Sequence, residues 1–185
     1  MGERLLVWQW LSEPGIEQLR LGAGSGGVRA RSRVLGVWDE QPMRATYRIT
    51  LDPDWRFHRL DAAWSDPEGT RRVRLWRDSD SIWHDAGGPR PDLAGCEYID
   101  VNWTPLTNTL PIRRLGLAPG EAREIRVAYL PVPSFQMYAS PQRYTHLDER
   151  HWRFESLDTG FTADLTVDDQ GIVTEYAGLF RLVSG

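Results

Sequence analysis

Strict alternation between apolar and polar residues is the feature of this sequence that most limits its possible folds. In residues 44–51, Ala45, Tyr47 and Ile49 alternate with arginine and threonine side chains. The same period recurs in residues 27–38, 55–64, 71–77, 123–129, 150–156 and 161–167, and residues 172–183 are interpreted as the last strand. A period of two residues is typical of β-strands with one buried and one hydrated face.

Short turn signals separate these segments at regular intervals. Glycine, proline and aspartate cluster at residues 22–27, 66–69 and 118–121, as they do in hairpins between antiparallel strands. Helical periodicity is nearly absent, since residues 14–21 fit a strand as well as two helical turns. About ten strands rarely remain flat and open. We therefore predict an all-β fold with little helix, in which residues 1–185 form one domain around a single large, curved antiparallel sheet, a half-barrel or open barrel.

Charge and residue usage exclude several classes of function. A formal net charge of −4 gives no general attraction to nucleic acid or anionic membranes. All 22 basic residues are arginine, which excludes lysine Schiff-base chemistry and phosphate-loop nucleotide binding. No apolar run approaches the roughly 18 residues of a membrane span, and Leu5–Trp8 is too short for a signal sequence. We expect a cytoplasmic protein with no nucleic-acid partner and no stable membrane insertion; its oligomeric state is left open.

Motifs for metal binding and covalent catalysis are missing from the sequence. The four histidines form no metal-binding pair, and a zinc site from His84, Asp85 and Cys96 has no supporting spacing. No serine lies in a G-x-S-x-G motif, and Cys96 has no neighbouring base. The sequence therefore predicts no catalytic residue, no metal site and no cofactor.

Arginines on the polar faces of several predicted strands form the first candidate binding feature. They are Arg44, Arg48, Arg56, Arg72 and Arg74. If these strands are neighbours in the sheet, the guanidinium groups cluster and suit carboxylate, phosphate or sugar hydroxyl groups. The alternative is a solvated face on which they pair with acids such as Asp61 and Glu68.

Residues 99–117 depart from the alternation and form the second candidate feature. Uncharged hydrogen-bonding residues, among them Asn102, Thr104 and Asn108, surround two prolines, and paired arginines follow. Such side chains often satisfy their own backbone in turns, which favours a self-bonded loop across or along the open side of the sheet. The alternative is a loop that lines a groove, where amides and hydroxyls bind sugar hydroxyls and Trp103 stacks on a sugar face.

The same segment carries a family resemblance. The run "GCEYIDVNWTPLTNTLPIRRLGL", with "VAYLPVPSFQMYASPQRYTHL" after it and "GFTADLTVDDQGIVTEYAGLFRLV" near the end, resembles the bacterial putative glycolipid-binding protein family over nearly the whole chain. The resemblance implies one all-β domain with a bent sheet similar to the half-barrel of periplasmic lipoprotein carriers. It implies no catalytic residues.

The leading hypothesis is non-enzymatic binding of a small amphipathic molecule, a glycolipid or other lipid, in the concavity of the curved sheet. The candidate ligand-binding residues are Trp103, Thr104, Thr107, Asn108, Arg113, Arg114, Arg48, Arg72, Arg74 and Tyr144. Two alternatives stay open. One is an enzyme with a site spread over several strands around His58, Asp61 and Tyr144; the other is a protein-interaction module with an exposed aromatic surface or sheet edge.

Overall fold

The computed structural model describes residues 2–185, which form one sheet of fifteen strands and one short α-helix. The strands are β1 Arg4–Trp10, β2 Gly15–Gly24, β3 Gly27–Trp38, β4 Gln41–Leu51, β5 Phe57–Asp66, β6 Gly69–Arg77, β7 Trp83–Asp85, β8 Gly88–Pro89, β9 Tyr98–Val101, β10 Ala122–Leu130, β11 Tyr138–Asp148, β12 His151–Ser156, β13 Thr162–Val167, β14 Val173–Tyr176 and β15 Phe180–Ser184. The helix, α1, spans Leu106–Arg114, and a 3₁₀ turn spans Pro91–Leu93. The all-β prediction with little helix is confirmed.

The strands are arranged as two meanders that meet at the ends of the chain. The order across the sheet is β8 to β1 in descending sequence, then β15 to β9, so β1 pairs with β15. The outermost strands, β8 and β9, are not paired with each other, and the sheet is therefore curved but not closed into a barrel. The expectation of a wholly antiparallel sheet is corrected at one place, because β9 and β10 run parallel.

Contacts between the two meanders show how far the sheet curves. The indole nitrogen of Trp8 on β1 donates to the carbonyl of Val173 on β14 at 2.9 Å. The ring of Trp64 on β5 lies 5.9 Å from that of Trp103, which follows β9. The first contact spans only β15, but the second joins β5 to the end of β9, so strands far apart in the order of the sheet share one interior. Their alternating apolar side chains fill it, and Trp8, Trp64, Trp83 and Trp103 are among the largest fully buried residues.

Hairpin geometry explains where the predicted strand boundaries succeed and fail. The glycine-rich residues 22–27 contain the β2–β3 hairpin turn, as predicted, with residues 25–26 at its tip, and Gly27 has a φ of +103° that side chains rarely adopt. Trp55, predicted to begin a strand, instead precedes β5 with a φ of +62°. Residues 172–183 are not one strand but the hairpin β14–β15, because a turn at residues 177–179 interrupts them.

The end of β9 and helix α1 correct the prediction of a loop over residues 99–117. Thr104 lies two residues before the helix, and its hydroxyl oxygen accepts the backbone N–H of Leu106, the first helical residue, at 3.2 Å. Pro111 lies inside the helix, where it removes one backbone hydrogen bond. Gly116 follows the last turn with a φ of +59°, a conformation that commonly ends helices. The short helix lies on the inner side of the sheet, with seven of its residues buried.

Candidate functional site

The neutral polar residues around α1 lie inside the protein rather than on an open groove. Trp103 is fully buried, and Thr104, Thr107 and Asn108 are at most 3% exposed. Tyr144, on β11, is 1% exposed. The structure therefore brings these five predicted residues together, but in the core, where α1 and apolar side chains fill the concave side of the sheet.

Hydrogen bonds within the protein use the polar groups of this segment. Thr104 lies 3.0 Å from the hydroxyl of Tyr47 on β4, and Asn108 donates to the hydroxyl of Tyr144 at 2.9 Å. Thr107 donates to the carboxylate of Asp100 at 3.0 Å. These bonds attach α1 to both meanders. The sequence left two explanations for the polar composition of this segment, hydrogen bonds within the protein or contacts with a ligand. The bonds observed here account for it by the first explanation.

Two carboxyl groups are buried beside this helix. Glu17 on β2 is fully buried and accepts hydrogen bonds from Ser32 and Tyr47, each at 2.7 Å, on one carboxyl oxygen. Its second oxygen has no partner. Burial raises the pKa of Glu17 from 4.5 to about 7, although the hydrogen bonds oppose the shift. Burial likewise raises the pKa of Asp100. The sequence did not indicate Glu17, because a glutamate on an alternating strand is read as solvent-facing.

Arg113 and Arg114 pack on aromatic rings at the end of α1. The guanidinium carbon of Arg113 lies 4.1 Å from the ring centre of Trp55, and the guanidinium group also donates to the carbonyl of Gln170. The guanidinium carbon of Arg114 lies 4.9 Å from the ring centre of Tyr98. Cation–π stacking of this kind stabilises a fold. The contacts of Arg113 therefore anchor α1 to two nearby turns, and that of Arg114 anchors it to β9.

The outer face of the first meander carries rows of arginine that cross adjacent strands. In the register of the sheet, Arg20 on β2 is opposite Arg31 on β3, and Arg31 is opposite Arg48 on β4. Arg48 is opposite Asp61 on β5, which in turn is opposite Arg74 on β6. A second row lies two residues further along each strand and contains, in order, Arg33, Thr46, Ala63 and Arg72.

These rows line a cavity of about 1040 Å³, which we call the arginine groove. Its charged lining consists of seven arginines and one acid: Arg20, Arg31, Arg33, Arg48, Arg59, Arg72, Arg74 and Asp61. The groove therefore has a formal charge of +6 in a chain whose net charge is −4. Three predicted ligand-binding residues, Arg48, Arg72 and Arg74, line it together.

Asp61 neutralises only part of this charge. Its carboxylate accepts hydrogen bonds from Arg59 at 2.7 Å and from Arg74 at 2.8 Å. These contacts, the bond from Arg59 above all, lower the pKa of Asp61 to about 2. In the described part of the chain the other ion pair of the groove joins Arg20 to Glu3. Within residues 2–185, the lining arginines without an acidic partner are Arg31, Arg33, Arg48 and Arg72.

Two arginines that the sequence grouped with this cluster lie outside the groove lining. Arg44 is opposite Ser65, further along the same face, and Arg56 lies in the β4–β5 turn with Asp54 at 2.9 Å. Arg20, Arg31 and Arg33 were missed as site residues. Their alternation marked an exposed strand face, but only the strand register shows which arginines are neighbours.

The residues of the enzyme alternative are not assembled into one site. Tyr144 is buried against Asn108, whereas Asp61 lies in the outer groove with two arginines and His58 is exposed. Among residues 2–185, no cluster of three or more histidine, cysteine, aspartate or glutamate side chains is arranged to hold a metal ion. Within the same range, no helix is both long and apolar enough to cross a bilayer.

Comparison with known proteins identifies the family of this chain and a solved structure with the same fold. The model of a family described as putative glycolipid-binding matches residues 5–182. A crystal structure of a DUF1089 family protein from Pseudomonas aeruginosa superposes with a TM-score of 0.83 at 36% sequence identity, covering 90% of this chain and 91% of that one. No curated protein matches the sequence.

Proposed function

The chain belongs to the putative glycolipid-binding family, and from that premise we propose that it binds a small amphipathic molecule through the arginine groove without converting it chemically. One observation carries the proposal. A cavity of about 1040 Å³ with a formal charge of +6 lies on a protein of net charge −4. Its volume is slightly above the range usual for small-molecule sites, roughly 300–1,000 Å³.

The filled interior favours the outer groove over the concave side of the sheet as the place for a ligand. Trp103 and the buried face of α1 occupy the concave side, where the side chains of Thr104 and Asn108 already have partners in the protein. The indole nitrogen of Trp103 has no hydrogen-bond partner, but apolar side chains and rings surround it. The guanidinium groups of the groove, in contrast, face solvent. Each presents five N–H donors in a fixed plane, a geometry that suits the oxygen atoms of a head group.

An exposed apolar pair beside the groove supports an amphipathic ligand rather than a purely polar one. Ile16 on β2 and Leu35 on β3 are directly opposite each other and are 48% and 64% exposed. They lie on the same face as Arg33, which precedes Leu35 by two residues, a step of about 7 Å along a strand. A head group in the groove would place an attached alkyl chain within reach of this apolar pair.

Mass spectrometry of small molecules released from mildly purified protein tests this function. We expect the wild-type protein to release an amphipathic compound that the variant Arg31→Gln/Arg48→Gln and the variant Leu35→Ser do not retain. A matched control, Arg123→Gln/Arg181→Gln, removes two charges from exposed positions outside the groove and should retain the compound.

Two results would contradict the proposal. One is the absence of any co-purified amphipathic compound, together with no binding of added glycolipid. The other is equal retention by the wild-type protein and by both groove variants, since the ligand would then lie elsewhere on the molecule.

A further inference from the structure

We infer that the head group of the ligand carries an oxyanion, of the phosphate or sulfate type, seated between Arg31 and Arg48. This inference rests on the proposed function and narrows it, because sugar head groups can be neutral or acidic. It depends on the strand register, on the absence of competing acids and on the shape of the groove floor.

The strand register places like charges directly opposite each other at the centre of the groove. Arg31 and Arg48 are direct cross-strand partners, and Arg20 is the direct partner of Arg31 on the other side. The backbones of adjacent strands are about 4.8 Å apart. Like charges directly opposite each other destabilise a sheet, so this arrangement favours a bound anion between the guanidinium groups.

Acids do not supply that anion. Elsewhere on the surface, Arg71, Arg90 and Arg153 each hold a guanidinium nitrogen within 2.9 Å of a carboxylate oxygen. Among the described residues, Arg31 and Arg48 have no such contact. The one acid of the groove is Asp61, which lies opposite Arg48 in register, but its carboxylate oxygens are bonded to Arg59 and Arg74 instead.

The floor of the groove leaves room for an oxyanion, and the lining has far more hydrogen-bond donors than acceptors, because seven arginines outnumber the few acceptor side chains such as that of Thr46. Thr46 and Ala63 are direct cross-strand partners, with Arg33 on one side and Arg72 on the other. Three strand spacings, about 14 Å between backbones, separate those two arginines across small side chains. Sugar hydroxyls both donate and accept hydrogen bonds, but arginine only donates, so this lining matches acceptor-only oxyanions better.

Isothermal titration with three probes separates the parts of such a ligand. Glucose 6-phosphate has a sugar and an oxyanion without a chain, octyl glucoside has a sugar and a chain without charge, and monododecyl phosphate has a chain and an oxyanion without a sugar. Each is titrated below its micelle concentration at low and at moderate salt. The proteins are the wild type, Arg31→Gln/Arg48→Gln, the single variant Arg72→Gln, and the control Arg123→Gln/Arg181→Gln.

The two phosphate probes should bind at least about tenfold more tightly than octyl glucoside, because hydrogen bonds between charged groups are the stronger ones. Binding should weaken with salt and fall about tenfold or more in both groove variants, while the control binds as the wild type does. Without ligand, Arg31→Gln/Arg48→Gln should melt at or above the wild-type temperature, since a like-charge pair is removed.

The remaining outcomes distinguish failure of the inference from failure of the proposed function. Binding of octyl glucoside alone would overturn the oxyanion inference and leave amphipathic binding intact. Glucose 6-phosphate binding as tightly as monododecyl phosphate would uphold the oxyanion site and refute the need for a chain. No binding of any probe would overturn both. A groove variant that melts well below the wild type would also overturn the inference, because its arginines would then stabilise the fold.

Discussion

Replacement of Glu17 by glutamine should stabilise the protein above neutral pH and leave it nearly unchanged in acid. Glu17 is fully buried, and Ser32 and Tyr47 both donate to one of its carboxyl oxygens. The amide oxygen of glutamine can accept the same two bonds. Its NH₂ group would occupy the position of the second carboxyl oxygen, which has no hydrogen-bond partner. In the protonated acid, the hydroxyl group occupies the same position. The substitution therefore removes the ionisable proton with little other change.

The expected magnitude follows from the difference between the two pKa values of Glu17. Its pKa is about 7 in the folded protein, and the ordinary value of 4.5 applies to the unfolded chain. Because the folded pKa is the higher one, the folded state binds more protons between these values. The free energy of unfolding therefore falls as pH rises from about 4.5 to 7, and levels off above. At about 1.4 kcal/mol per pKa unit, the total loss is about 3 kcal/mol.

Urea unfolding at a series of pH values from about 4.5 to 8.5 measures this loss. The quantity compared is the difference in unfolding free energy between Glu17→Gln and the wild type, so contributions from other titrating groups cancel. The difference should rise from near zero to about 3 kcal/mol as pH increases through 7. Glu149→Gln, at an exposed turn position, serves as the matched control and should show no such rise. A difference that does not vary with pH would refute the reasoning.

Three further substitutions test the fold around the groove and the helix. Gly27→Ala should cost about 2–4 kcal/mol of unfolding free energy in urea titrations. The new Cβ would lie 2.3 Å from a backbone oxygen, and residue 27 has a φ of +103°. The control Gly26→Ala should cost far less, because its Cβ would meet nothing within 4 Å. Tyr144→Phe should cost about 1–3 kcal/mol, since the amide of Asn108 loses its buried acceptor, and equal stability would show that another acceptor replaces it. Arg113→Ala should lower the melting temperature by an amount that corresponds to about 1 kcal/mol of unfolding free energy, because stacking on Trp55 is lost. A negligible change would instead indicate a solvent-facing side chain that is available to a ligand.

The sequence predicted the fold class because nearly every strand has one buried and one exposed face. In β4, Ala45, Tyr47 and Ile49 are buried and the residues between them face outward, so the alternation reports the burial directly. The order and curvature of the strands could not be predicted in this way. They depend on pairings between distant residues, such as Trp10 with Phe180, that leave no periodic signal.

The candidate site was predictable in part for the same reason. Arg48, Arg72 and Arg74 were recognised on polar strand faces, and the groove contains all three. The opposition of Arg31 and Arg48 depends on register, which a one-residue slip would change completely. Around α1 the polar composition of residues 102–109 was a sound signal of dense hydrogen bonding. It could not show whether the partners belonged to the protein or to a ligand.

The pairing of β1 with β15 determines when the sheet can become whole during folding. Apart from the parallel pair β9–β10, each meander consists of neighbouring hairpins, which form quickly because their contacts are local in sequence. The seam between the meanders joins the two ends of the fold and must wait until Phe180–Ser184 has docked. Until then β1 and β14 are open edges, which readily recruit strands from other molecules. A chain shortened by those five residues would therefore be prone to aggregate even with both meanders formed.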